Sequence, residues 1–239
     1  MIRVFRNSGY PMRREEGDGI YKVEFPTAEI SWFGQSDEID EQRAIAASLM
    51  PVFYPSAVAV IGASRDSRSI GGRLFTNLIN GDFTGPVFPV NPKADVVRSV
   101  KAYRSILDVP GRVDLAFIVV PSRFVNAVVK ECVEKGVRGL VVISVGFSET
   151  GEAGAELEEE LMETVRNAGM RMVGPNCMGL INMDAAESMN GQFGPLSPPA
   201  GNVAMSSQSG ALGIAILDYA TELGIGISTF ISIGNQPDV

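Results

Sequence analysis

No histidine occurs among the 239 residues, and the chain has two cysteines and a single tryptophan. Without imidazole, neither a Ser-His-Asp nor a Cys-His nucleophile can be assembled from this chain. The commonest zinc-ligand sets are excluded for the same reason. Cys132 and Cys177 stand apart, without the Cys-x-x-Cys spacing of a metal or redox pair, so no metal site and no catalytic residue is assigned. Two lone thiols fit a reducing, cytoplasmic setting. The first residues, MIRVFRNSGYPMRREEG, lack the apolar core of a signal peptide, and no apolar run reaches membrane-spanning length. Positive charge is scarce as well: 20 Lys+Arg against 28 Asp+Glu leave a formal net charge of −8. A nucleic-acid backbone requires a basic face, so nucleic acid and membrane are both set aside as partners. A small phosphorylated ligand needs only local positive potential and stays open.

What the chain does have is glycine, 26 residues of it, with 45% hydrophobic content, the composition of an α/β protein rich in tight turns. From Ser56 onward, apolar β-branched runs at Ala57–Ile61, Val87–Val90, Leu115–Val120, Leu140–Ser144 and Arg171–Val173 read as strands. Helical stretches lie between most of them, at Gly72–Asn80, Phe124–Lys135 and Ala153–Ala168. Strands that are apolar without alternation, separated by helices, predict a parallel sheet buried on both faces. The segment Pro195–Pro199 marks a boundary. Beyond it, Val203–Ser206, a helix over Ala211–Leu223 and Ile227–Ile233 form a second βαβ unit. One such unit rarely stands alone, so the sequence reads as stopping inside a second domain. At the head, Arg3–Arg6 closes a helix, Asn7-Ser8-Gly9 gives a cap signal, and Tyr21–Phe25 alternates like a strand. Residues 34–52 read as a connecting helix.

Three turns carry the chemistry. Gly174–Gly179 (GPNCMG) and Ser206–Leu212 (SSQSGAL) each place small and polar residues after an apolar strand, and the second opens a helix. Asn176, Ser207, Gln208, Ser209 and Gly210 are thereby predicted to form an anion site at unpaired helix amides, against the plainer reading that the two serines merely cap the helix. The first βα turn, GASRDSRSIGG, lacks the GxGxxG pattern because Ser64 takes the place of the second glycine. Gly62, Ala63, Ser64, Ser69 and Gly71 still suit a phosphate at a helix N-terminus, against the plainer reading of a polar turn. The second strand ends in Asn91-Pro92-Lys93, where an NAD-binding domain would carry an acid for the ribose diol. Lys93 suits a phosphate instead, or is a plain surface lysine. The third and fourth strands end in Pro121-Ser122 and Ser144-Val145-Gly146, at the edge where open α/β sheets bind ligands. Cys177 and the nearby methionines read as packing.

Laid out in this order, the chain resembles the NDP-forming acyl-CoA synthetases, the superfamily of the succinyl-CoA synthetase α subunit. The segments that carry the resemblance are SAVAVIGASRDSRSIGG, GPVFPVNPKA, VDLAFIVVPS, GVRGLVVISVGFSETGE, GMRMVGPNCMGLIN, GNVAMSSQSGALGIAILDY and ISIGNQPDV. They span about residues 52–239 in unbroken order. The resemblance implies an α/β fold: a Rossmann-type CoA-binding domain over 53–194, then the start of a flavodoxin-like ligase domain over 200–239. It implies CoA or acetyl-CoA as cofactor, held by Gly62, Ala63, Ser64, Ser69, Gly71, Lys93, Pro121, Ser122, Ser144 and Gly146. It further implies a reaction of acyl-CoA with ADP and phosphate to give acid, CoA and ATP, through a phosphohistidine. With no histidine here, ATP and ADP would enter only through absent ligase and ATP-grasp domains, which become expected partners beside the CoA thioester and a second copy of the chain. The head, MIRVFRNSGYPMRREEGDGIYKVEFP, is similar to the end of a GNAT acetyltransferase domain, implying a remnant over 1–33 and a parent that joins the two. The GNAT pyrophosphate loop is missing. The competing readings are an NAD(P)-dependent Rossmann oxidoreductase and a free-standing CoA-binding protein without chemistry.

Overall fold

The computed structural model describes residues 13–17, 20–24, 36–184 and 188–235, with side chains from Gln42 onward. Contacts divide the chain into two compact units, residues 1–43 and 44–239. In the first, β1 (Arg13–Gly17) and β2 (Ile20–Glu24) pair antiparallel, with Arg13 opposite Glu24. The strand expected at Tyr21–Phe25 is β2, shifted by one residue. The helix end at Arg3–Arg6 and its cap lie outside the described residues. The connecting helix is α1 (Ser36–Phe53).

The second unit is built on β3 (Val58–Ile61), β4 (Val87–Val90), a short antiparallel pair β5 (Val96–Val97) and β6 (Val100–Lys101), then β7 (Leu115–Ile118), β8 (Gly139–Val142) and β9 (Arg171–Val173). Five of these form one parallel sheet in the order β4-β3-β7-β8-β9. Three helices cross between its strands: α2 (Ile70–Asn80), α3 (Ser122–Lys135) and α4 (Glu152–Asn167). Successive residues of a strand face opposite ways, and here both faces are covered. Ala59, Ile61, Ala116 and Ile118 pack with Val125, Val129 and Leu161 of α3 and α4. Val58, Val60, Leu115 and Phe117 pack with Leu74, Phe75 and Leu78 of α2. That double burial is why the strands read as continuous apolar runs. Strands β7 and β8 end two residues earlier than expected. Each makes one further ladder bond, Val119 N–H to Ile61 O (2.8 Å) and Ile143 N–H to Ile118 O (3.0 Å), before the chain turns.

The second sheet differs from expectation. The βαβ unit is present as β12 (Ala200–Ser207), α5 (Gly210–Glu222) and β13 (Ile227–Ser232), with β12 and β13 parallel. Two further strands, β10 (Gly179–Asn182) and β11 (Met189–Gln192), complete it in the order β11-β10-β13-β12. The turn at Pro195–Pro199 therefore connects strands of one sheet. The added strands were hidden because buried amides fill them. Asn182 Nδ2 donates to Phe53 O at 2.7 Å, and Gln192 Nε2 to Leu196 O at 2.8 Å. Helix α2 is stitched to this sheet by Asn77, whose Nδ2 donates to Gln192 O (2.7 Å) and Gly194 O (2.9 Å). Among the described residues, no helix is long and apolar enough to cross a membrane.

At the other edge of the parallel sheet, Asp114 is a buried anchor. Its carboxylate accepts from Ser56 N–H (3.0 Å) and pairs with Arg112 (2.8 Å) and Arg138 (3.1 Å). Burial by itself would raise the Asp114 carboxyl, but the Ser56 amide and the two guanidinium groups outweigh it and hold the group below the usual carboxylate range. A depressed native value stabilises the fold above the unfolded value and is lost as pH falls through it. Asp114→Asn should therefore lower stability by roughly 1–3 kcal/mol at neutral pH. The gap between variant and wild type should begin to narrow below about pH 4, as pH falls from the unfolded toward the lower native value. Urea denaturation at pH 7 and pH 3 measures both.

Candidate functional site

All five parallel strands end at the same edge of their sheet, and the predicted residues collect there. Gly62 leaves β3 with φ +96°, and a Cβ on it would lie 2.3 Å from Val119 O. Gly71 packs helix against turn so closely that its Cβ would lie 2.1 Å from Gly62 O. Asn91, just past β4, ties the two turns together: its Nδ2 donates to Ala63 O at 2.7 Å, while its Oδ1 accepts from Lys93 N–H at 2.8 Å. The Lys93 side chain is exposed. Pro121 sits at the start of α3, and the Ser122 Oγ approaches Gly146, where a Cβ would come within 2.6 Å of it. Ser144 is buried, its Oγ 3.4 Å from Ile118 O and its carbonyl accepting from Asn176 N–H at 3.0 Å.

The predicted serines are engaged with backbone. Ser69 Oγ donates to Asp66 O (2.7 Å) and accepts from Gly72 N–H (3.1 Å), capping α2. Ser64 Oγ accepts from Asp66 N–H at 3.1 Å. Ser207 is buried and donates to Ser209 O at 2.8 Å; Ser209 caps α5 by accepting from Leu212 N–H at 3.3 Å. Gln208 is exposed. These caps leave the first two amides of each helix over. No described residue accepts from the N–H of Ile70 or Gly71, nor from that of Gly210 or Ala211.

Both helix N-termini open on one cleft of about 370 Å³. Ile70 represents α2, Gly210, Ala211 and Ile214 represent α5, and Asn176, Cys177 and Met178 form its floor. Ile143 and Val145 contribute from the end of β8. Of the five residues expected at an anion site, Asn176 and Gly210 line this cleft, whereas Ser207, Gln208 and Ser209 do not. A helix N-terminus presents roughly half a positive charge, so the part of the cleft lined by these two helix starts favours an anion. Cys177 is packed as a buried thiol, its Sγ donating to Val142 O at 3.3 Å. Burial pushes its thiol up to about 12, and Cys132 likewise, so both are protonated at neutral pH. No group of three or more acidic or thiol side chains that could hold a metal occurs among the described residues.

Sequence reasoning missed Asn235, Glu149 and Glu158. Asn235 N–H donates to Pro175 O at 3.0 Å, and its side chain joins Glu149, Glu158 and Asn176. Burial tends to raise the Glu149 carboxyl, but the Asn235 amide and the amides of its own loop, Gly146 among them, bring it below the usual range. Asn235 lies far along the chain from the two glutamates, and nothing in the spacing marks the three together.

The geometry has a counterpart among known proteins: residues 56–183 match the model of the CoA binding domain. The chain belongs to the CoA-binding domain family. Residues 200–239 match the succinyl-CoA ligase like flavodoxin domain. Among curated relatives, the α subunit of the ADP-forming acetate–CoA ligase II of Pyrococcus furiosus is 48% identical over 187 residues, covering 78% of this chain and 40% of the relative. The ADP-forming 4-hydroxybutyrate–CoA ligase of Nitrosopumilus maritimus is 41% identical over 186 residues, covering 78% of this chain and 26% of the relative. A solved structure of dinucleotide forming acetyl-coenzyme A synthetase 1 from Ca. Korarchaeum cryptofilum, in complex with phosphate and ADP, superposes with a TM-score of 0.76 at 46% identity. It covers 80% of this chain, which spans 40% of the solved one. The chain thus spans well under half the length of these relatives. For a CoA-binding domain the strand order is informative: β3 is first in sequence but second in the sheet, so the crossovers reverse between β3 and β7. That switch point, flanked by Gly62 and Val119, is where such sheets bind ligands.

Proposed function

We propose that this chain is the CoA- and acyl-CoA-binding part of an NDP-forming acyl-CoA synthetase-like protein. The observation that carries the reading is that Ile70, Gly210 and Ala211, first residues of two helices and with unclaimed amides, line one cleft at the carboxyl edge of a CoA-binding sheet. Gly62, Ala63, Ser64, Ser69, Gly71, Lys93, Pro121, Ser122, Ser144 and Gly146 would hold the cofactor along that edge. The α5 N-terminus at Ser209 and Gly210 would hold a phosphate or carboxylate. The residues fit such a ligand, because close-packed glycines let backbone amides approach it and Lys93 is exposed at the strand end. An NAD-type reading is disfavoured by Lys93 in the place of an acid and by relatives that are CoA ligases. Within the parent, the finer reading is a ligase half or a regulatory half joined to a GNAT domain. The sequence of the head, which includes the β1–β2 pair, supports that fusion. The apolar stripe of Leu212, Ile216 and Tyr219 on α5, continued by Leu223 just past its end and exposed throughout, supports association with further ligase domains or a second copy.

Calorimetry with CoA, acetyl-CoA and NAD tests the reading. CoA should bind more tightly than NAD, and Lys93→Ala should weaken CoA by roughly 1–3 kcal/mol, the range for a charge-assisted phosphate contact. Tighter binding of NAD would overturn it. The chain by itself should form no ATP from acetyl-CoA, ADP and phosphate, since it has no histidine to carry the phosphoryl group. A coupled assay that detects ATP would contradict this.

A further inference from the structure

The Asn235 carboxamide meets three acceptors at one end. Its Nδ2 lies 2.7 Å from Glu149 Oε2, 2.8 Å from Glu158 Oε2 and 3.1 Å from Ser148 Oγ. The end facing two carboxylates must be the NH2, because a carbonyl oxygen there would be repelled by both, and the Ser148 hydroxyl already donates to Glu158 Oε2 at 2.8 Å. Asn235 Oδ1 is therefore turned the other way, where it accepts from Asn176 Nδ2 at 3.3 Å. The first amide thus orients the second. Asn176 commits one N–H of its amide to Asn235, which fixes the plane of the group, and retains its Oδ1, to which no described residue donates. Asn176 lines the cleft, and around it Ile143, Val145, Met178, Phe193 and Ile214 are apolar. Cys177 Sγ is occupied by Val142 O at 3.3 Å.

From this geometry we infer that Asn176 is a specificity residue that offers a hydrogen-bond acceptor to the ligand, with Asn235 as the positioning residue that fixes it. The ligand group it selects is an N–H or O–H donor on a largely apolar chain, the chemistry of an amide in a pantetheine-type arm. An oxyanion at the same place would meet a lone pair. The cleft then divides its work: helix amides receive the anionic group, and Asn176 reads the neutral arm beside it. This revises the expectation that Asn176 belongs to the anion site. The assignment of the arm rests on the CoA reading above; the orientation of the two amides does not.

Two measurements on the full chain test the two halves separately. Without ligand, NMR follows the side-chain amide protons of Asn176. Asn235→Ala should shift them and speed their exchange, while the backbone amides of β8 and β10 stay in place. An unchanged Asn176 pair would overturn the relay. With CoA as the probe in calorimetry, Asn176→Ala and Asn235→Ala should each weaken binding about tenfold, the effect of one lost hydrogen bond, and the double variant no further. Asn176→Asp keeps an acceptor but loses the N–H that Asn235 holds, so it should bind CoA as weakly as Asn235→Ala. Wild-type CoA affinity in Asn176→Ala, or in Asn235→Ala, would mean that this amide does not read the ligand, and the proposal would fall. A wild-type chain that does not bind CoA would remove the ligand half together with the functional reading, and the NMR result would still decide the relay.

Discussion

Gly71→Ala should cost the fold about 3 kcal/mol or more, a large share of the stability of an ordinary domain. The reason is a stack of backbone contacts at the switch point of the parallel sheet. The end of β7 presses on Gly62, where a Cβ would lie 2.3 Å from Val119 O, and Gly62 in turn presses on Gly71, where a Cβ would lie 2.1 Å from Gly62 O. Neither neighbour is the tip of a flexible side chain. To admit one methyl, helix α2 must move off the sheet, and Leu74, Phe75 and Leu78 move with it. Gly136 supplies the control. It has φ +80° at the end of α3 with nothing within 4 Å of its Cβ position, so Gly136→Ala meets strain without collision and should cost about 1–2 kcal/mol. Denaturant unfolding of both variants separates the effects. If Gly71→Ala costs no more than Gly136→Ala, the close approach is not what holds this turn. The same displacement would carry the Ile70 and Gly71 amides away from the cleft, so the Gly71 variant should lose CoA affinity even where it remains folded.

These contacts also show what could be read in advance. The turn GASRDSRSIGG gave its glycines away through composition and position, because a strand followed by small residues and a helix start needs close backbone approach. The parallel strands were legible for a related reason: burial on both faces leaves an unbroken apolar run. Strand β11 was not legible. Its sequence MNGQ is polar, and it is buried only because Gln192 finds carbonyl acceptors at Gly194 and Leu196 in the following turn. Local pattern cannot reveal a partner supplied by the fold. The same limit applied to the site. Ser69 and Ser209 were visible as hydroxyls at helix starts. The direction in which Asn176 points depends on Asn235 and on two carboxylates 77 and 86 residues before it, a relation that only the folded chain displays.

The second large effect is expected where the two sheets meet. Phe117, on β7, is fully buried, and its ring reaches across to β11, where a Cβ on Gly191 would come within 2.4 Å of the Phe117 Cζ. Phe117→Ala should destabilise by about 3–5 kcal/mol, the cost of an emptied aromatic site. Gly191→Ala should cost about 1–3 kcal/mol by overpacking the same contact from the other side. The two losses should not add. Once the ring is gone, the methyl on residue 191 has room and fills part of the cavity, so the double variant should be more stable than the sum predicts, by an amount on the order of 1 kcal/mol. A double-mutant cycle from denaturant unfolding reads this coupling. Strict additivity would mean that the ring and the glycine do not share a packed site, and that the sheets are joined mainly through α2 and its Asn77 bonds to Gln192 and Gly194. The outcome bears on function, because the cleft draws Ile143 from the parallel-sheet side and Phe193 and Ile214 from the other. A junction held by one aromatic ring would make the spacing of the two helix N-termini sensitive to Phe117. Phe117→Leu, which retains most of the apolar volume, should then weaken CoA binding less than Phe117→Ala does.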